Sequence, residues 1–179
     1  MKIHIIRHGQ TDWNVKKKIQ GQTDIELNET GKNQALKAKE AFNELDLDLI
    51  ICSPLTRTKQ TAEILNEDRK IKIIYSDALL ERGLGSLEGK PTKYETEELY
   101  DLNLNVSDNN IELATDFVDR IFNLLDTIKH NLDNKKVLLV THGGTARAIE
   151  AYFYGISSNK KLPPETLKNC EFREFSFND

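Results

Sequence analysis

Short apolar runs alternate with segments of helical periodicity along this chain. Ile3 to Ile6 form an uninterrupted apolar stretch that reads as a strand. The segment LNETGKNQALKAKEAFNEL then places Ala35, Ala38, Phe42 and Leu45 on one helical face, with Asn28 positioned as N-cap. Leu49–Cys52 reads as a second strand. Ser53-Pro54 then predicts a helix to about Leu65, with serine as cap and proline at the first helical position. Residues 71–75 (IKIIY) predict a third strand. Phe117, Ile121, Leu124, Leu125, Ile128 and Leu132 mark a long amphipathic helix. Val137–Val140 predicts a fourth strand, followed by a helix from about Gly144 to Tyr154. The alternating tail EFREFSF predicts a final edge strand.

Strands that are apolar throughout, separated by helices, imply a largely parallel sheet covered on both faces. Such sheets bind ligands at the carboxyl ends of their strands. Composition narrows this only a little. With 179 residues, the chain predicts one domain, or one domain carrying a modest insertion. No apolar run approaches the roughly 20 residues that span a bilayer, and MKIHIIRHG is too short in apolar character for a signal peptide. Two cysteines, Cys52 and Cys170, with no CxxC, fit reduced thiols in a cytoplasmic protein. A net charge of -4 argues against general nucleic-acid binding, though not against a local anion site.

The carboxyl-end rule makes particular residues informative. Arg7 and His8 follow the first strand and His142 follows the fourth. Arg57 falls in the first turn of the helix after the second strand, where the helix dipole disfavours a cation unless an anion is near. Glu81 lies in the glycine-rich loop after the third strand. Each has an ordinary reading when taken singly: Arg7-His8 as a solvated loop, Arg57 as a solvated side chain, Glu81 as a surface partner of Arg82. Gly9, Gly143 and Gly144 suit places where backbone N–H groups approach a ligand closely. Asn14 reads as a turn residue or an amide donor. His4 lies roughly 13 Å from His8 along one strand, and His130 suits the end of its helix. Lys16, Lys17 and Lys18 read as a solvated run that could also help steer an anion, and Arg147 is expected to pair with Glu150.

Two histidines and a carboxylate could bind a metal, but adjacent guanidiniums repel a cation. An oxyanion site fits better, because arginine forks and neutral imidazoles match phosphoryl oxygens. Flanking positive charge would keep His8 neutral and nucleophilic near pH 7. Attack on phosphorus would give a labile phosphohistidine that water then hydrolyses. The arginines and His142 would stabilise the equatorial oxygens without a metal or other cofactor. Glu81 would protonate the leaving alkoxide and later activate water.

These residues sit in RHGQTDWN (7–14), CSPLTRTKQTAEIL (52–65), LLERGLGSLEG (79–89) and LLVTHGGTAR (138–147). Their order and spacing resemble the motifs of the histidine phosphatase superfamily, the phosphoglycerate-mutase-like proteins, over nearly the whole chain. The resemblance implies a three-layer α/β/α sandwich, its sheet mostly parallel with an antiparallel edge strand. It implies His8 as the phosphorylated nucleophile, Arg7, Arg57 and His142 in the phosphate pocket, and Glu81 as proton donor. It further places Asn14 and Gly143 on the phosphoryl group and Gln20 on the substrate side. Gln10 stands where many members carry Glu. A small phosphate monoester is the implied partner.

The segment 91–112 holds one lysine, Lys93, against Glu95, Glu97, Glu98, Asp101, Asp108 and Glu112. A short acidic lid of this kind would repel a second phosphate, which favours a phosphatase over a phosphoglycerate mutase; the alternative is a solvated surface helix turned away from the site. The rival readings are that mutase, a non-catalytic phosphate-binding module that has lost turnover, and a metal phosphoesterase.

Overall fold

The computed structural model describes residues 1–92, 98–103, 110–132, 135–164 and 167–177. Five strands are present: β1 (Lys2–Arg7), β2 (Leu49–Cys52), β3 (Ile73–Tyr75), β4 (Val137–Thr141) and β5 (Phe172–Ser176). They form one sheet in the order β3-β2-β4-β1-β5. The first four are parallel and β5 runs antiparallel to β1 at the edge. The helices are α1 (Asp12–Val15), α2 (Glu29–Asn43), α3 (Thr56–Asn66), α4 (Ala114–Asn131) and α5 (Gly143–Tyr154).

Successive strand residues point to opposite faces, and both faces are buried. Ile3, Ile5, Ile51, Val137 and Leu139 pack with Phe117, Ile121 and Leu125 of α4 and with Ile149 of α5. Ile6, Ile50, Cys52, Leu138 and Val140 pack with Phe42 of α2 and with Ala62 and Leu65 of α3. This double coverage explains why β2 and β4 are buried at every position and why neither alternates in sequence. The expected sandwich with an antiparallel edge is the observed fold.

Asn28 caps α2 as expected, its side chain accepting from the Gly31 N–H at 2.8 Å. Three local expectations are corrected. Helix α3 starts at Thr56 with Leu55 at its N-cap and no side-chain cap; Ser53 is engaged elsewhere. Strand β3 begins at Ile73, because the Asn66 amide takes both the N–H and the C=O of Ile71 at 2.8 and 2.7 Å. Gly9 serves close packing rather than ligand approach. A Cβ there would sit 2.5 Å from the Gly31 oxygen, and the Gly9 N–H donates to Thr61 Oγ1. The first turn of α2 thereby rests directly on the backbone beside His8.

Candidate active site

Three neighbouring strands, β2, β4 and β1, end at the same level. Cys52 and Ile6 both pair with Val140, and Arg7 pairs with Thr141. The ladder continues one residue beyond, with Ser53 N–H donating to Val140 O and His8 N–H to Thr141 O, each at 3.0 Å. Ser53, His142 and His8 are therefore delivered side by side. The rings of His8 and His142 lie 5.3 Å apart, edge to face at 60°.

Their partners assign the protons. His8 Nδ1 lies 2.7 Å from the Gly9 carbonyl, which can only accept, so Nδ1 carries the hydrogen and Nε2 the lone pair. In His142 the order is reversed. Arg57 Nε can only donate, so His142 Nδ1 accepts at 3.2 Å and Nε2–H donates to Ser53 Oγ at 2.8 Å. Burial, and then the charge of Arg57, hold both histidines well below the ordinary imidazole range. The sequence reading credited charge alone with this effect; desolvation is the larger cause.

A group whose pKa is depressed by folding adds stability above its unfolded value, and that stability is lost as pH falls below it. The unfolded value here is 6.5 for each ring. Stability is expected to decline with acidification from about pH 6.5, and a His142→Gln variant should show a shallower decline. Urea titrations between neutral and mildly acidic pH measure this. Parallel pH profiles for the two proteins would rule it out.

Arg57 is fully buried and gripped on three sides. Besides His142, its Nη1 donates to Thr23 O at 2.9 Å and its Nη2 to Gly21 O at 2.7 Å. Burial lowers its pKa to about 10, so it stays cationic at neutral pH. Arg7 donates through Nη1 to Leu167 O at 2.7 Å, while its buried Nε has no partner among the described residues. Glu81 is buried rather than paired with the Arg82 guanidinium. Its Oε2 accepts from Gly144 N–H at 2.8 Å and its Oε1 from Arg82 N–H at 3.0 Å. Gly144 is required for that approach, since a Cβ there would fall 2.4 Å from Glu81 Oε1. Its N–H thus serves the carboxylate and not a ligand.

Arg7, His8, Asn14, Gln20, Arg57, Glu81 and Gly143 all line one pocket of about 230 Å³. Asn14 Oδ1 caps α1 by accepting from Thr11 N–H at 3.0 Å, which directs its NH₂ to other acceptors. The Thr11 hydroxyl also reaches Gln20 Oε1 at 2.9 Å. His142 is the exception. It does not line the pocket but sits behind it, fully buried, with both ring nitrogens taken.

Three further residues, Ser53, Arg147 and Tyr100, escaped the sequence reading, and Lys18 is the one of Lys16, Lys17 and Lys18 that reaches the site. Ser53 has the signature of a helix cap and instead accepts from His142. Lys18 lines the pocket and stacks over Trp13 at 5.4 Å. Arg147 does not pair with Glu150, which binds Arg173 at 2.9 Å; it lines the pocket and stacks 4.8 Å over Tyr100. Tyr100 itself forms part of the wall.

The described part of segment 91–112 brings no carboxylate to the pocket. Asp101 faces Lys161 at 3.6 Å and Glu112 binds Arg120 at 2.6 Å. Residues 98–103 and 110–112 give the pocket Leu99 and Tyr100 and no carboxylate. Lys93, Glu95, Glu97 and Asp108 lie outside the described residues. Among the described residues, no helix is long and apolar enough to cross a membrane, and no cluster of three or more His, Cys, Asp or Glu is arranged to hold a metal ion.

Parallel strands thus bring His8, Arg7 and Arg57 to one small pocket, with His142 directly behind it, at the carboxyl edge of a doubly covered α/β sheet. Residues 3–179 match the family model of the histidine phosphatase superfamily (branch 1), and the chain belongs to that family. It is 38% identical over 173 residues to the uncharacterized phosphatase PhoE of Bacillus subtilis, covering 95% of this chain and 88% of that one. It is 27% identical to the probable phosphoglycerate mutase GpmB of Escherichia coli, over all of this chain and 86% of that one. Among solved structures, a mycobacterial glucosyl-3-phosphoglycerate phosphatase complexed with VO3 superposes with a TM-score of 0.86. That pair is 26% identical and covers 98% of this chain and 92% of the other.

Proposed function

We propose that this protein hydrolyses small phosphate monoesters through a phosphohistidine on His8, without a metal. The observation that carries the reading is the His8 imidazole, buried beside two arginines with Nδ1–H tied to Gly9 O and Nε2 left as the basic nitrogen. Nε2 attacks phosphorus as the bond to the leaving oxygen breaks. Glu81, held by two backbone N–H groups, gives that oxygen its proton. Water then attacks phosphorus and passes its proton back to Glu81. The P–N bond breaks and phosphate departs. Arg7 and Arg57 offset charge on the equatorial oxygens. His142 acts from behind, holding Arg57 and packing against the His8 ring.

The phosphatase name of the relative at 38% identity, against 27% for the probable mutase, supports hydrolysis over isomerisation. Release of inorganic phosphate from a monoester panel, with chelator and without any bisphosphorylated primer, tests the reading. Dependence on the primer would make the protein a mutase, and loss of activity to the chelator would restore the metal alternative. Glu81→Gln is expected to slow poor leaving groups by on the order of 10²-fold and to affect good ones far less. Equal losses with phenyl and para-nitrophenyl phosphate would remove Glu81 from the acid role.

A further inference from the structure

Arg57 owes two of its three hydrogen bonds to one short loop, through the carbonyls of Gly21 and Thr23. A loop is a soft support for a buried guanidinium unless something fixes the loop in turn. Glu88 does so from the opposite side. Its Oε1 accepts from Gln22 N–H and Leu84 N–H, each at 2.9 Å. Its Oε2 accepts from Thr23 N–H at 2.8 Å and from the Thr23 hydroxyl. Donors crowd both oxygens, so the position calls for an acceptor-only group, which a carboxylate is and an amide is not.

The link to Arg57 is direct. The Gly21 carbonyl and the Gln22 N–H belong to one peptide unit. That unit accepts from Arg57 Nη2 at 2.7 Å on one edge and donates to Glu88 on the other. Glu88 is thereby a counter-ion to Arg57 through a single peptide group, and hydrogen bonds chained in this way polarise one another. Burial works against the Arg57 cation, while Glu81, Asp24 and Glu88 favour it. Gly21 permits the approach: its φ is +51°, and a Cβ there would fall 2.0 Å from Glu88 Oε1. Glu88 itself does not line the pocket, but Gln20, Gly21 and Leu84 do.

We propose that Glu88 is a positioning residue for phosphoryl transfer, holding the 20–23 loop so that Arg57 keeps its free N–H groups aimed at the phosphoryl oxygens. The catalytic part of this rests on the phosphatase reading, so the first measurement needs neither turnover nor a ligand.

Heteronuclear NMR reads the buried Arg57 Nε–H, which donates to His142 Nδ1 and whose signal Arg57→Lys removes. Its exchange with water is expected to be slow in the native protein and about tenfold faster in Glu88→Ala, as the loop opens more often. Glu88→Gln, which keeps one oxygen for Gln22 and Leu84, should show a smaller rise and carries the test if the alanine variant does not fold. In turnover, Glu88→Ala should lower kcat by on the order of 10²-fold, the cost of a misplaced catalytic donor, and leave KM nearly unchanged. On an Arg57→Lys background the same change should cost about twofold or less, because the fork it aims is gone. Unchanged exchange in the Glu88 variants, a loss confined to KM, or full additivity with Arg57→Lys would overturn the positioning role. Faster exchange in the variants of a protein that releases no phosphate from any ester would overturn the phosphatase and leave the anchoring of Arg57 by Glu88 standing.

Discussion

A His8→Ala variant, incubated with a labelled phosphate monoester and quenched, is expected to carry no acid-labile, base-stable label. Its steady-state phosphate release should fall by on the order of 10³-fold or more, since the remaining groups lose the nucleophile they act upon. The size of the effect follows from the way the ring is held. Only Nε2 has a lone pair, because Nδ1–H is committed to Gly9 O at 2.7 Å. Burial and two arginines keep that lone pair unprotonated at neutral pH. No other described imidazole can take over. His142 has both nitrogens engaged, His4 faces Glu174 at 3.7 Å on the far reach of β1, and His130 is tied to Asp126 O on α4. The variant should keep its fold, because His8 lies beyond the ladder pairs of β1 and its own N–H bond to Thr141 O is made by the backbone. Label persisting on a folded His8→Ala protein would falsify the covalent reading outright.

The convergence behind this prediction was legible in sequence for a physical reason. A strand buried on both faces must be apolar throughout, so the first polar residue after it marks the sheet edge. Ile6 to Arg7 and Val140 to Thr141 are such points, and parallel pairing then aligns the residues that follow. What stayed hidden was decided by contacts distant along the chain. Ser53 before a proline satisfies every local rule for a helix cap; only the strand register shows it to be the partner of His142. Glu150 is a reasonable local partner for Arg147, yet it binds Arg173 of β5 at 2.9 Å. Asn66 removes Ile71 from β3 by closing a loop on it, which a hydrophobic pattern does not reveal. The lid was read from composition, but Asp101 and Glu112 spend their charge on Lys161 and Arg120. The recess of His142 depends on Arg57, whose first-turn position suggested an anion nearby and gave no hint of a histidine acceptor.

Arg57 is the position where stability and activity should fall together most sharply. Its three donors tie two distant parts of the chain to α3: one loop, through the carbonyls of Gly21 and Thr23, and the His142 ring beyond β4. Lysine brings one ammonium on a flexible stem and cannot span these acceptors. Arg57→Lys should therefore cost about 1–3 kcal/mol through buried acceptors left unpaired. Arg57→Ala should cost more, about 2–5 kcal/mol, because it adds a cavity in a site with no exposure. Turnover in Arg57→Lys should drop by on the order of 10²–10³-fold, the loss seen when a preorganised donor to a transition-state oxygen is removed. The arginine charge is also one of the causes depressing both histidines. In Arg57→Ala the acid limb of the pH–rate profile should accordingly move to higher pH, while burial still holds both rings below the ordinary imidazole value. Chemical denaturation and a pH–kcat/KM series on both variants decide the matter. Native stability with native turnover in Arg57→Lys would show that charge alone matters here and that the three-way grip does not.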